Sequence, residues 1–254
     1  MIRESLEFTY DGIASQNRGL YNIAVASGLL DEPITGRRTI QEDRDISGKR
    51  YLKKVDNEPL EFPVSFYFKD KYDDDKIRET VRWLLQDSYK PLIFSGNPNR
   101  VFYAVFIGDT RLVHNGLKEG YLTLTVRCDS NHAYSKVIAS ELHDLSNNSS
   151  EGTLIDFKNS GDMDVQPVIY IEKIGSGDVR FVNTSDGGKS MEIKNLLDGE
   201  NIKIDCNNQI IETNSGFNRY NDFDFNWLNL IYGVNRMRVY GACKLYYKIQ
   251  FKLY

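Results

Sequence analysis

The sequence predicts a mainly β protein: an α+β N-terminal domain with a single helix, followed by an all-β C-terminal sandwich. Three observations carry this. Segments with an apolar residue at every second position recur along the chain, as in Leu60, Phe62, Val64, Phe66 and Phe68. Turn-forming pairs such as Asp11-Gly12, Asn115-Gly116 and Glu119-Gly120 punctuate them. One segment alone changes to the helical period. At 254 residues, with 41% hydrophobic and 12% aromatic content, the chain can bury two cores.

In order, "LEFTYDG" reads as a strand and turn, with Leu6, Phe8 and Tyr10 on one face. "YNIAVASG", residues 21–28, reads as a short second strand. Polar alternation from Arg37 leads into a strong strand at Glu61–Phe68. The helix follows over about 73–88. Ile77, Val81, Leu84 and Leu85 share a face, Asp73, Asp74 and Asp75 suit its cap and the positive dipole end, and Pro91 closes it. Strands resume at "PLIFSG" and "RVFYAVFIGD", then at "GYLTLTV", where Leu122, Leu124 and Val126 share a face. The polar, turn-prone segment 143–152 is expected to be a linker between domains at 1–142 and 153–254. Beyond it a turn falls every 8–12 residues, the spacing of a β-sandwich. The last segment, "RMRVYGACKLYYKIQFKLY", reads as a strand pair broken near Gly241.

Composition excludes several functions. A net charge of -4, with acidic and basic residues mixed, gives no basic face for nucleic acid. Lys53-Lys54 and the pair Arg236 and Arg238 are too sparse for a groove along a phosphate backbone. Cys128, Cys206 and Cys243 are odd in number and far apart, so they read as small buried hydrophobes rather than disulfides. "MIRESLEFTYDG" has charges where a signal peptide needs an apolar core, and no apolar run approaches a bilayer span. A soluble protein made in the cytosol is expected, in which the sequons at Asn147, Asn148 and Asn183 carry no glycan.

Candidate chemistry concentrates in a few places. "DGGKS", Asp186–Ser190, looks like part of a phosphate loop. A Walker motif needs Gly where Asn183 stands, and a helix after the Ser, so a plain turn is expected. Asp222, Asp224 and Asn226 match the first ligands of a calcium loop. Trp227 occupies the place of its obligatory Gly, and Gly233 that of its closing Glu. The same residues, read as a strand, put Phe223, Phe225 and Trp227 on a buried face. His114, His132 and His143 share no ligand spacing. No catalytic, cofactor or metal residues are therefore expected. Tyr220, Phe223, Phe225, Trp227, Tyr246 and Tyr247 could stack on sugar rings, Trp227 and Tyr220 foremost. In "IKIDCNNQIIET" a hairpin is expected, with Asn207-Asn208 as a two-residue turn and Ile204 opposite Ile211.

The order of these blocks resembles a known family. "RRTIQEDRDISGKRYLKKVDNEPLEFPVSFYF", the helix with "WLLQDSYKPLIF", then "NGLKEGYLTLTV" and an all-β half with "ENIKIDCNNQIIETNSG" are similar to the distal tail proteins (Dit) of long-tailed siphophages, such as that of Bacillus phage SPP1. The resemblance spans essentially the whole chain. It implies a ring-forming N-terminal domain, a galectin-like C-terminal sandwich, and a homohexameric hub at the virion's tail tip. That hub would contact the tail tube protein, the tape-measure protein and the tail-associated hub or lysin protein, and would let DNA through its channel without specific binding. It implies no catalysis, cofactor or membrane. The alternative expectation is a carbohydrate-binding module that contacts host cell-wall polysaccharide.

Overall fold

The computed structural model describes residues 2–23 and 31–254. The described chain forms two compact units, one of residues 1–134 with Tyr254, the other Ser135–Leu253. Residues 24–28 of the predicted second strand lie outside the described residues.

In the first unit the strands are β1 (Phe8–Tyr10), β2 (Ile13–Ala14), β3 (Leu20–Ile23), β4 (Arg38–Arg44), β5 (Arg50–Asn57), β6 (Glu61–Phe68), β7 (Lys90–Phe94), β8 (Arg100–His114) and β9 (Gly120–Cys128). Seven of them hydrogen-bond in the order β2-β1-β7-β8-β9-β6-β3. All neighbours are antiparallel. The period-two run behaves as expected, with Leu60, Phe62, Val64, Phe66 and Phe68 all buried.

Helix α1 (Asp74–Leu84) begins where the acidic run predicts, because the Asp73 carboxylate accepts from the Lys76 amide at 2.8 Å. It ends four residues earlier than expected. Its buried stripe is Thr80, Trp83 and Leu84 with Ile77 half-buried, while Leu85 is exposed. Trp83 fixes this rotation. Its ring stacks on Phe8 at 5.8 Å, and its indole N–H donates to the Tyr10 carbonyl at 3.1 Å.

Among the described residues β4 and β5 pair only with each other. None of their residues is buried, and Ile40, Tyr51 and Leu52 are more than half exposed. The register sets Ile40 against Val55 and Glu42 against Leu52, with an irregularity at Gln41/Glu42. Ile40, Leu52 and Val55 thus share one face of a ribbon whose outer edges pair with no other strand among the described residues.

β10 (Ala133–Ser135) falls at the division, and the second unit continues through β11 (Ile138–Ala139), β12 (His143–Leu145), β13 (Thr153–Asn159), β14 (Val168–Lys173), β15 (Gly177–Asn183), β16 (Lys189–Leu196), β17 (Asn201–Asp205), β18 (Ile210–Thr213), β19 (Gly233–Tyr240), β20 (Cys243–Ile249) and β21 (Lys252–Leu253). One sheet runs β11-β20-β14-β17-β18, with β12 also on β20; the other runs β13-β19-β15-β16. Phe157, Phe181, Met191 and Val239 from one sheet meet Ile169, Ile171, Ile204 and Leu245 from the other in one core, so the unit is a β-sandwich. Residues 143–152, read from sequence as a linker, contain β12, whose Leu145 joins that core.

The terminal strand pair expected around Gly241 differs from the structure. β19 and β20 lie in opposite sheets and do not pair with each other. The chain crosses between them at Gly241, whose φ of 89° favours glycine and where a Cβ would meet the Asp178 carbonyl at 2.1 Å. Cys128, Cys206 and Cys243 are free and buried, and burial pushes their thiols up to about 12, 12 and 11.

Candidate functional site

The stretch 196–227 turns polar groups into scaffolding. The hairpin has the predicted register, Ile204 against Ile211, with Ile202 and Ile204 in the core. Its turn differs from the expected two-residue form. It spans residues 206–209, and the positive φ falls on Gln209 at 57° rather than on an Asn. The Asp205 carboxylate decides this, accepting from the amides of Asn207 and Asn208 at 3.1 and 2.9 Å.

Behind the hairpin lies a buried ion pair. Arg219 enters from the short 3₁₀ turn Arg219–Asp222 and meets Glu200, which just precedes β17. Arg219 Nε donates to Glu200 Oε1 at 2.8 Å and Nη2 to Oε2 at 2.6 Å, a bidentate fork. Thr213 and Ser215 hydroxyls donate to the same carboxylate at 2.6 and 2.9 Å, and the Leu197 amide at 2.9 Å. Burial alone would raise the Glu200 pKa; the Arg219 fork and the other donors outweigh it and bring it down to about 2. Asp222 adds a second contact to Arg219 at 3.0 Å.

This arrangement answers the calcium reading. Asp222 is committed to Arg219 and to the Asn195 amide group at 2.9 Å. Asp224 accepts from the Glu192 amide and from Asn226. Among the described residues no three or more His, Cys, Asp or Glu gather to hold a metal ion. The strand reading of 222–227 fails as well. Phe223 is buried and bridges Ile193, but Phe225 takes a left-handed φ of 59° and is 61% exposed. The turn that Asp224 caps on Asn226 breaks the alternation.

The remaining aromatics separate into three situations. Tyr247 is core, its ring 3.9 Å from Phe157 and its hydroxyl donating to the Asp156 carbonyl. Tyr220 is tied to β18: its hydroxyl accepts from the Ile211 amide at 3.0 Å and donates to the Gln209 carbonyl at 3.2 Å. Trp227 is half-buried, with its ring 4.6 Å from Phe223. Trp227 and Phe225 line a cleft of about 510 Å³ with Gly187, Gly188 and Lys189, so the "DGGKS" turn and the "DFDFNW" run converge there. Lys189 in that turn is paired to Asp186 at 2.8 Å, and β16 rather than a helix follows, so no phosphate cradle forms. Tyr220 does not line this cleft. The three histidines are dispersed, against Tyr72, Tyr134 and Tyr247 respectively.

Tyr246 lies elsewhere, on the outer face of the sheet. Its ring stacks on Tyr170 at 4.6 Å with planes 2° apart. This pair borders a groove of about 440 Å³ that also reaches Lys203, Glu212 and Thr213. Tyr170 was not among the aromatics singled out from sequence. In "PVIYIEK" it reads as one more strand residue, and its partner stands far along the chain.

Comparison with known proteins places this chain. Residues 3–130 match a family described as phage tail protein N-terminal domain, and residues 132–249 match phage tail C-terminal domain. The chain belongs to this phage tail protein family. The SPbeta prophage-derived uncharacterized protein YomH of Bacillus subtilis (strain 168) is 31% identical to this tail protein over 254 residues, 99% of each chain. The crystal structure of the SPP1 Dit protein, titled a paradigm of hub adsorption apparatus in Gram-positive infecting phages, superposes with a TM-score of 0.70. It covers 96% of this tail protein and 98% of that chain, at 16% identity. The Dit resemblance read from the sequence therefore holds in the fold. The family is structural, not enzymatic.

Proposed function

We propose that this tail protein is the hub of a long non-contractile tail tip. Six copies close into a ring built by the N-terminal units, which joins the tail tube and tape-measure end to the tail-associated hub protein and leaves a channel for DNA. The C-terminal sandwich, galectin-like in this reading, is carried on the ring. The protein is made in the host cytoplasm and ends in the virion.

The observation that carries self-association is the β4–β5 ribbon. A two-stranded ribbon is at best marginally stable in water, and open edges invite pairing. Its exposed Ile40, Tyr51 and Leu52 supply apolar contact area, and its three ion pairs, Arg50–Glu42, Lys53–Asp43 and Lys54–Asp56, are exposed and worth little. Copies meeting head to tail through such an element close a ring when the rotation closes. The family membership and the Dit-like fold support the hub reading, and a net charge of -4 suits a wall that DNA passes without adhesion. Light scattering of the purified chain should give six copies, with a central hole in negative stain; a stable monomer at micromolar concentration opposes the proposal.

One observation favours a second reading, carbohydrate binding through Trp227 and Tyr220: Trp227 and the exposed Phe225 share the cleft above Gly187 and Gly188. Tyr220 contributes no free hydroxyl to it. Polysaccharide binding lost in Trp227→Ala, with the fold retained, would support this reading; unchanged binding would end it.

A further inference from the structure

We propose a different site: the outer face of the six-stranded sheet binds a neutral oligosaccharide, in the groove between the Tyr170–Tyr246 stack and β18. The site lies within the C-terminal unit and is separate from the Trp227 cleft.

The strand registers build it. Tyr246 pairs with Tyr170, Tyr170 with Lys203, and Lys203 with Glu212, so these four side chains form one row across β20, β14, β17 and β18. Alternation along each strand sends this row outward while Ile169, Ile171, Ile202 and Ile204 fill the core. The row starts with two parallel phenol rings stacked on one another, half-buried against their neighbours. Lys248 Nζ sits over the Tyr170 ring, 5.0 Å from its centroid. Among the described residues neither phenol hydroxyl has a protein hydrogen-bond partner, so both can serve a ligand. Aromatics on the outer face of a sheet present an apolar face and a polar tip together.

The other residues lining the groove have the complementary chemistry. Lys203 and Glu212 hold each other at 3.0 Å, and Glu172 faces Lys244 across the β14–β20 register. The groove therefore carries two positive and two negative side chains among its lining residues, with Asn201, Thr213 and Asn214 between them. Balanced charge gives no reason to select an anion, and a phosphate or nucleic-acid strand would need unpaired cations. Donors and acceptors side by side suit vicinal hydroxyls, each of which donates and accepts. A pyranose has an apolar ring face and a hydroxyl rim, which matches aromatic rings on one side and this polar wall on the other. About 440 Å³ falls within the range of small-ligand sites.

The wall is also held in place before a ligand arrives. Thr213 is bonded to Glu200, which the Arg219 fork fixes, and the Asn214 carboxamide accepts from the Asn201 amide at 2.9 Å. Preorganisation of this kind reduces the ordering cost of binding.

The test is a glycan array carrying neutral hexose and N-acetylhexosamine oligomers beside sulfated counterparts. It is probed with the full chain, and hits are titrated calorimetrically. The expected result is saturable binding to a neutral oligomer, about ten-fold weaker in Tyr170→Ala and in Tyr246→Ala. Tyr170→Phe should keep the stack and most of the affinity, and Trp227→Ala should leave it unchanged. Circular dichroism and melting identify variants that fail to fold, and for those the Tyr170→Phe and Lys203→Met results decide, the latter expected to weaken binding. No saturable binding, binding to sulfated oligomers alone, loss only in Trp227→Ala, or full binding in both Tyr→Ala variants would each overturn the proposal. The hexamer measurement is unaffected by any of these outcomes, so failure here and failure of the ring reading are distinguishable.

Discussion

Two hairpins of this chain, β4–β5 and β17–β18, have opposite fates. β17–β18 drives Ile202 and Ile204 into a core, caps its turn with Asp205, and is anchored from behind by Glu200 and Arg219. Among the described residues β4–β5 buries nothing, pairs only with itself, and exposes Ile40, Tyr51 and Leu52. The first is finished within one chain. The second has the features of an element completed by another chain. The difference teaches that polar residues in a hairpin do not tell its role; what their partners are does.

That contrast can be broken from either side. The largest effect should come from Arg219→Ala, which leaves the Glu200 carboxylate buried without its cation. Breaking a buried pair costs about 3–5 kcal/mol, visible as a lower urea midpoint. The Glu200 pKa, lowered from 4.5 to about 2, adds a pH signature. A depressed carboxylate stabilises the fold above its unfolded pKa, and that contribution is lost as pH falls through the folded one. Stability on the order of 3 kcal/mol should therefore disappear between about pH 4.5 and about pH 2. Glu200→Gln should flatten this slope in acid-unfolding curves. Next in size, Gly241→Ala should cost more than about 1 kcal/mol, from the left-handed φ and the close Asp178 carbonyl. Asp205→Ala should cost about 1 kcal/mol through the lost turn bonds. At the small end, Ile40→Lys with Leu52→Lys should leave the melting of an isolated chain almost unchanged, since neither side chain is buried within it.

Much of the fold was legible from sequence because its signals are local. The Glu61–Phe68 strand shows its burial in a two-residue period, and the Asp73 cap announces the helix start within four residues. The helix end was overextended: Leu85 fits the periodic face, yet Trp83, through its bond to Tyr10, sets which face is buried. In residues 222–227 alternating aromatics imitate a strand, and the side-chain bonds of Asp224 override them. The candidate surfaces were less legible. Tyr170 and Tyr246 meet only because β14 and β20 are neighbours, and Glu200 finds Arg219 only because the chain returns beneath β18. Such pairings depend on topology, which no short window of sequence contains.

The central claim is that the chain assembles through the β4–β5 ribbon. The most direct measurement is the solution mass by multi-angle light scattering, of the natural chain and of the Ile40→Lys, Leu52→Lys variant, at the same micromolar concentration. Six copies for the natural chain and one for the variant, with equal circular dichroism, is the predicted result. Equal masses for the two, whether monomer or hexamer, would contradict it.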